Sequence, residues 1–231
     1  HSHRSPLRTH RRIFDEFSED YDESAFFESE GTRWLSEIEV EAIRKLSIPR
    51  GALVLDAGVG TGRNAMLLAG MGGRVVGIDI SSRMLKKARS RVGCEVVMAS
   101  AHMLPFRSAV FDAVVCVRVL KYVEPWQKVI SDAGRVLKGG GSYVLEVANA
   151  RSVAALKKGN YRLFSVGTVA EALQSEFVCE MRVCGSRAPF PLYRRLNGLW
   201  LKVVVGVERL LSRLLPDCVL SRSVIFVCRR R

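Results

Sequence analysis

Apolar and polar positions change their period along this chain. Residues 13–30 (IFDEFSEDYDESAFFESE) set Phe14, Phe17 and Tyr21 at helical spacing among acids. Residues 32–47 predict a second amphipathic helix, ended by Pro49. Beyond it, short apolar runs alternate with helical patterns. Strands are predicted at 52–55, 74–78, 95–98, 111–117, 141–147, 177–184 and 223–228. Helices are predicted at 62–71, 82–92, 126–137 and 166–175. Residues 192–215 form a further apolar and basic helical stretch, inserted before the last strand. This alternation predicts an α/β fold, a doubly wound and mostly parallel seven-stranded sheet with helices on both faces. No linker interrupts it. Residues 1–231 are therefore expected to form one domain, with a helical cap at 13–47, a core at 50–150 and later elements at 151–231.

Composition narrows the class. The chain has 231 residues, 48% hydrophobic and 26% charged, which excludes a mainly disordered polymer. No apolar run reaches the roughly 18 residues that a membrane-spanning helix needs. Arg4, Arg8, Arg11 and Arg12 precede an acidic stretch rather than an apolar one, so no signal peptide is expected. Cys94, Cys116, Cys179, Cys184, Cys218 and Cys228 form no CxxC pair. They are expected to be reduced, buried thiols of a cytoplasmic protein, with no zinc site, no other metal and no disulfide framework. The net charge is +13 but uneven. Residues 13–41 hold eleven acids and one base, Arg33, whereas 181–231 hold eleven bases and two acids, Glu208 and Asp217. The basic end suits an anionic partner such as nucleic acid, anionic lipid or an acidic substrate, or else is a solvated face.

The informative segment is Val54-Leu-Asp-Ala-Gly-Val-Gly-Thr-Gly-Arg63. A strand runs into Gly58, Gly60 and Gly62, and a helix follows. Glycines let the backbone turn sharply and approach a ligand closely. Asp79 ends the second strand, where a carboxylate can accept both hydroxyls of a ribose. A dinucleotide fingerprint would place its third glycine at position 63, which is Arg63 here. Asp56 beside the loop disfavours a pyrophosphate and suits a cofactor with a positive centre and an ammonium group.

This pattern resembles motif I of the class I S-adenosylmethionine-dependent methyltransferases, which have a Rossmann-like fold. Ala99-Ser-Ala-His-Met-Leu-Pro-Phe106, Phe111-Asp-Ala-Val-Val-Cys-Val-Arg-Val-Leu-Lys-Tyr-Val123 and Gly134-Arg-Val-Leu-Lys-Gly-Gly-Gly141 are similar to later motifs of the same family. So is Tyr161-Arg-Leu-Phe-Ser165. The likeness is greatest to the type 11 group, which includes ubiquinone and menaquinone biosynthesis enzymes. Ile13-Phe-Asp-Glu-Phe-Ser-Glu-Asp-Tyr-Asp22 is similar to that group's opening.

The resemblance implies S-adenosyl-L-methionine as cofactor, held by Asp56, Gly58, Gly60, Thr61, Gly62, Asp79, Ile80, Ser100, Ala101, His102 and Arg118. Two positions depart from the pattern. Ser100 stands where the family usually has an aspartate facing the adenine amino group, so a neutral hydroxyl replaces a charge. Arg118 stands where a small or polar residue is usual. Its cation pairs with the cofactor carboxylate, with an anionic substrate, or with the acidic N-terminal cap. His102 is expected beside the adenine. Tyr21 and Tyr122 are the candidates for orienting the acceptor, since no residue is an obvious base.

The expected function is methyl transfer to a small-molecule or lipid-like acceptor. Residues 192–215 are a candidate peripheral contact with an anionic membrane. The alternative is an RNA methyltransferase using the basic C-terminal region, against which no RNA-binding module and no N-P-P-Y or paired-cysteine motif is found. A non-catalytic cofactor-binding protein is less consistent with the intact Gly58, Gly60, Gly62 and Asp79.

Overall fold

Side chains alternate across the central strands, and this splits the apolar residues into two cores. The computed structural model describes residues 6–19, 29–46, 48–152, 161–187, 190–214 and 220–231. Val54, Ala113, Val115 and Val144 face one side of the sheet, while Leu55, Val114, Cys116 and Leu145 face the other. With both faces covered, the strands read as almost continuous apolar runs.

Seven strands form the sheet: β1 (Leu53–Ala57), β2 (Arg74–Asp79), β3 (Glu95–Met98), β4 (Phe111–Cys116), β5 (Leu137–Ala148), β6 (Phe177–Cys184) and β7 (Ser223–Arg230). Their order is β3-β2-β1-β4-β5-β7-β6. The first five strands pair in parallel, and β7 runs antiparallel to both β5 and β6. Helices α2 (Glu30–Arg44), α3 (Arg63–Gly70) and α4 (Ser82–Val92) put Ala42, Ile43, Ala65, Leu68, Leu85 and Ala88 on the Val54 face. Helices α5 (Trp126–Val136) and α6 (Val166–Gln174) put Val129, Ile130, Ala133, Val169 and Leu173 on the other. This is the doubly wound, mostly parallel fold expected from the sequence.

Three details differ from the sequence reading. The first helix, α1 (Pro6–Phe17), begins before the acidic stretch. It docks on the start of α4, where Ser81 Oγ donates to Asp15 Oδ1 at 2.6 Å. The 192–215 stretch is divided into a short α7 (Phe190–Tyr193) and a long α8 (Gly198–Leu214). At the break, Ser29 Oγ, capping α2, donates to the Tyr193 carbonyl at 2.8 Å. The third difference is a correction. Cys184 is disulfide-bonded, so the expectation of six reduced cysteines fails, and with it that argument for a reducing compartment. Spacing along the chain carries no information about which thiols the fold brings together. Cys179 and Cys228 oppose each other across β6 and β7, and are free.

Among the described residues no helix is long and apolar enough to cross a membrane. None of their His, Cys, Asp and Glu side chains cluster in threes suited to a metal ion.

Candidate active site

The strand order reverses between β1 and β4, which opens a crevice at their carboxyl ends. The loop after β1 lies there and folds back on β2, with the Gly58 and Val59 amides both donating to the Ile78 carbonyl at 2.8 Å. Gly58 has φ 90°, and a Cβ on it would stand 2.0 Å from Val119 Cγ2. Gly60 has φ 53°, with no atom within 4 Å of where its Cβ would be, so its backbone faces open space.

Asp79 closes the loop from the end of β2. Its Oδ2 accepts from the Gly60 amide at 3.0 Å, and its Oδ1 accepts from the Ser81 amide at 2.9 Å. The Ile80 amide is a third donor to this carboxylate, which leaves it acceptor capacity for a ligand. Burial pushes the Asp79 carboxyl above its ordinary range, and the Ser81 and Gly60 bonds oppose that.

A cavity opens between these elements. Of the residues expected from sequence, Gly58, Gly60, Asp79, Ile80, Ser100, Ala101, Arg118 and Tyr122 line it. Four others do not. Asp56 is buried on β1, and neither of its oxygens has a hydrogen bond of normal geometry. Burial, then the charge of Asp79, pushes its pKa up to about 7, while Arg63 opposes the rise. Thr61 is buried, and its hydroxyl accepts from Arg91 at 3.3 Å. Gly62 caps α3. His102 places Nδ1 2.8 Å from Ser100 Oγ, one contact behind the cavity wall. Tyr21 lies outside the described residues.

The sequence reading passed over the apolar wall of this cavity: Phe14, Met84, Ala99, Val117, Val119 and Val123. Phe14 carried a signal, its helical spacing, but nothing local said that α1 would fold over the crevice. It does so through Tyr122, whose ring meets Phe14 edge-on at 5.1 Å and Tyr161 at 6.3 Å.

Arg118 follows β4 with φ 64°, a left-handed conformation that a non-glycine residue adopts at a cost. Its Nε donates to Glu39 Oε1 at 2.6 Å, and Glu39 also accepts from Arg63. Of the roles expected for Arg118, the ion pair with the cap is therefore present. Arg118 also lines a second, polar cleft, together with Glu39, Lys121, Glu146, Ser152 and Arg222.

The residues present fit S-adenosyl-L-methionine. Glycine backbone faces open space, a carboxylate stands at the end of β2, apolar side chains form a wall, and Asp56 lies buried behind the loop, where a positively charged ligand would favour its ionised form.

Residues 55–145 match the family model described as "Methyltransferase domain". The chain is 35% identical over 142 residues to the demethylmenaquinone methyltransferase of Tropheryma whipplei strain Twist, covering 58% of this chain and 57% of that protein. It is 37% identical over 135 residues to an uncharacterized protein of Methanocaldococcus jannaschii, covering 58% and 60%. The chain thus spans about three fifths of the length of these relatives. Among solved structures, the N-methyltransferase NodS of Bradyrhizobium japonicum WM9, in complex with S-adenosyl-L-homocysteine, superposes with a TM-score of 0.68 at 14% identity. That match covers 95% of this chain and 97% of the other, and it is a likeness of fold.

Proposed function

We propose that this chain is a type 11 S-adenosylmethionine-dependent methyltransferase, one that transfers a methyl group from S-adenosyl-L-methionine to a small-molecule acceptor; the match of residues 55–145 to the methyltransferase-domain family supports this reading. The observation that carries the reading is the Gly60 amide bonded to Asp79, which sets the glycine loop and the acid as one unit on the cavity wall.

The bound cofactor would supply an already activated methyl group, so the protein's work is to bind, orient and exclude water. In this reading Asp79 accepts the ribose hydroxyls. Gly58 and Gly60 admit the amino-acid portion, and Asp56 favours its positive charge through space. Ser100 and Ala101 border the adenine, with His102 holding the Ser100 hydroxyl. Phe14 on α1 and Tyr122 close the methyl end against water. Tyr122 is the positioning residue for the acceptor.

A contact of α8 with an anionic lipid surface is a second element of the reading, and a specific observation favours it. The helix turns Glu208 inward, where Tyr193 Oη donates to its carboxylate at 2.8 Å. It turns Leu199 (73% exposed), Trp200 (71%), Val203, Val207, Leu210 and Leu214 outward, beside exposed Lys202 and Arg209. An apolar stripe of this size rimmed with bases suits an interface with anionic headgroups. Helix α8 packs on α2, which lends Leu35, Ile38 and Glu39 to the polar cleft, so such a contact would bring the cleft near the lipid surface.

Calorimetry tests the cofactor reading. S-adenosyl-L-homocysteine should bind and NAD should not. Asp79→Ala should weaken the former about tenfold or more, since a charge-assisted bond contributes about 1.5–3 kcal/mol. Unchanged affinity in that variant would remove Asp79 from the ribose site.

A further inference from the structure

The polar cleft beside the cofactor cavity is richer in cations than acceptor positioning alone requires. Arg118, Lys121 and Arg222 line it opposite two carboxylates, Glu39 and Glu146, and Glu39 is already paired with Arg63 and Arg118. The Lys121 ammonium lies over the rings of Tyr122 and Tyr161, 5.2 and 5.4 Å from their centroids. Arg222 is fixed at the start of β7 by its backbone: its amide donates to the Ser186 carbonyl at 2.7 Å, and its carbonyl accepts from the Asn149 amide at 3.0 Å.

Burial, with the repulsion of neighbouring guanidinium groups, pulls the Lys121 and Arg222 side chains below their ordinary pKa values, while Glu146 opposes the shift in both. Half-buried cations crowded in this way favour the arrival of a further anion. Polar atoms of the cleft that lack hydrogen bonds include Ser152 Oγ, on a residue 5% exposed, and Glu146 Oε2. A guanidinium has five N–H donors, so Arg118 and Arg222 can serve a ligand beside their present partners.

We propose that this cleft is the acceptor site and that it selects an organic acceptor bearing an oxyanion, a carboxylate or a phosphate, held between Arg222 and Lys121. Ser152 Oγ is the neutral donor to that anion, and Glu146 accepts a hydrogen bond from an N–H or O–H elsewhere on the acceptor. Leu35, Ile38 and Ile225 give the acceptor's apolar body a wall. Arg118 lines both cavities, so an acceptor seated here adjoins the cofactor. The inference rests on the methyltransferase reading above and narrows its substrate class.

The test is calorimetry on the full chain saturated with S-adenosyl-L-homocysteine, titrated with benzoate, phenyl phosphate and neutral benzamide. At least one oxyanion should bind and benzamide should not; benzoate against phenyl phosphate tells a carboxylate site from a phosphate site. Arg222→Gln should weaken the oxyanion about tenfold, the loss of one charge-assisted contact. Arg222→Lys should retain part of the binding, and Glu146→Gln should strengthen it, because a like charge has gone. A merely structural role for Glu146 would not produce that gain. Both glutamine variants should leave S-adenosyl-L-homocysteine affinity unchanged. Oxyanions bound no better than benzamide, or bound equally by Arg222→Gln, overturn this inference alone. Failure of S-adenosyl-L-homocysteine itself to bind overturns the methyltransferase reading, and this inference with it.

Discussion

Arg118 Nε and Glu39 Oε1 meet at 2.6 Å, tying the segment after β4 to α2 at the boundary of both cavities. The Glu39 side chain is 7% exposed and serves two guanidinium groups, those of Arg63 and Arg118. Removing one partner from a buried ion pair costs more than the pair itself contributes, because the remaining charge stays desolvated. Glu39→Gln should therefore destabilise the protein by about 3 kcal/mol in urea unfolding. Arg118→Gln should cost less, since Glu39 would keep Arg63. A Glu39→Gln loss under about 1 kcal/mol, the range of exposed pairs, would show that solvent already screens the contact.

Asp56 should make the free protein's stability fall as pH rises. Its folded pKa, pushed up to about 7 by burial, exceeds the ordinary carboxyl value of 3.8. The folded state thus holds a proton that the unfolded chain releases. This contribution is complete below pH about 4 and lost by pH about 7, and it amounts to about 4 kcal/mol at roughly 1.4 kcal/mol per unit. Asp56→Asn should remove that slope between pH 4 and 7 and stabilise the free protein at pH 8. Denaturant unfolding of both proteins across this window decides it; parallel profiles would mean that Asp56 is ionised throughout.

The same group should couple cofactor affinity to pH. A positively charged ligand favours ionised Asp56, so S-adenosyl-L-methionine should bind more tightly as pH rises from 6 to 8 and should release a proton at about pH 7. Calorimetry in buffers of different ionisation enthalpy measures that proton. Asp56→Asn should abolish the release.

Ser100 lines the cavity proposed to take the cofactor and holds His102 Nδ1 at 2.8 Å. If it stands in for an adenine-facing acid, Ser100→Asp should bind the cofactor as well or better, because a carboxylate accepts more strongly than a hydroxyl. A loss of about tenfold would place the adenine elsewhere in the cavity.

Trp200 reports on α8. Its exposure predicts a solvent-shifted emission in the free protein, a blue shift with anionic liposomes and reversal of that shift by salt. Replacing Arg194, Arg195 and Lys202 with Gln should weaken liposome binding and leave cofactor affinity intact. No response to liposomes would leave the outward apolar stripe to a partner other than lipid.

What the sequence determined by itself was everything carried by local period and backbone chemistry. Short, Val-rich apolar runs such as Val54-Leu55 and Val114-Val115, alternating with helical patterns, read as strands covered on both faces. Gly58 and Gly60 in a strand-to-helix loop, with Asp79 closing the next strand, singled out three residues that line one cavity. Tertiary structure alone decided which distant residues share a wall. It brought Phe14 over the crevice, set Glu39 between Arg63 and Arg118, and gathered Lys121, Glu146, Ser152 and Arg222 into one cleft. It also joined Cys184 in a disulfide that no spacing announced, and turned the apolar stripe of α8 outward instead of inward. The reason is physical: secondary structure and glycine loops answer to neighbours within a few residues, whereas burial, charge pairing and pKa depend on what the packed helices and sheet bring into contact from far along the chain.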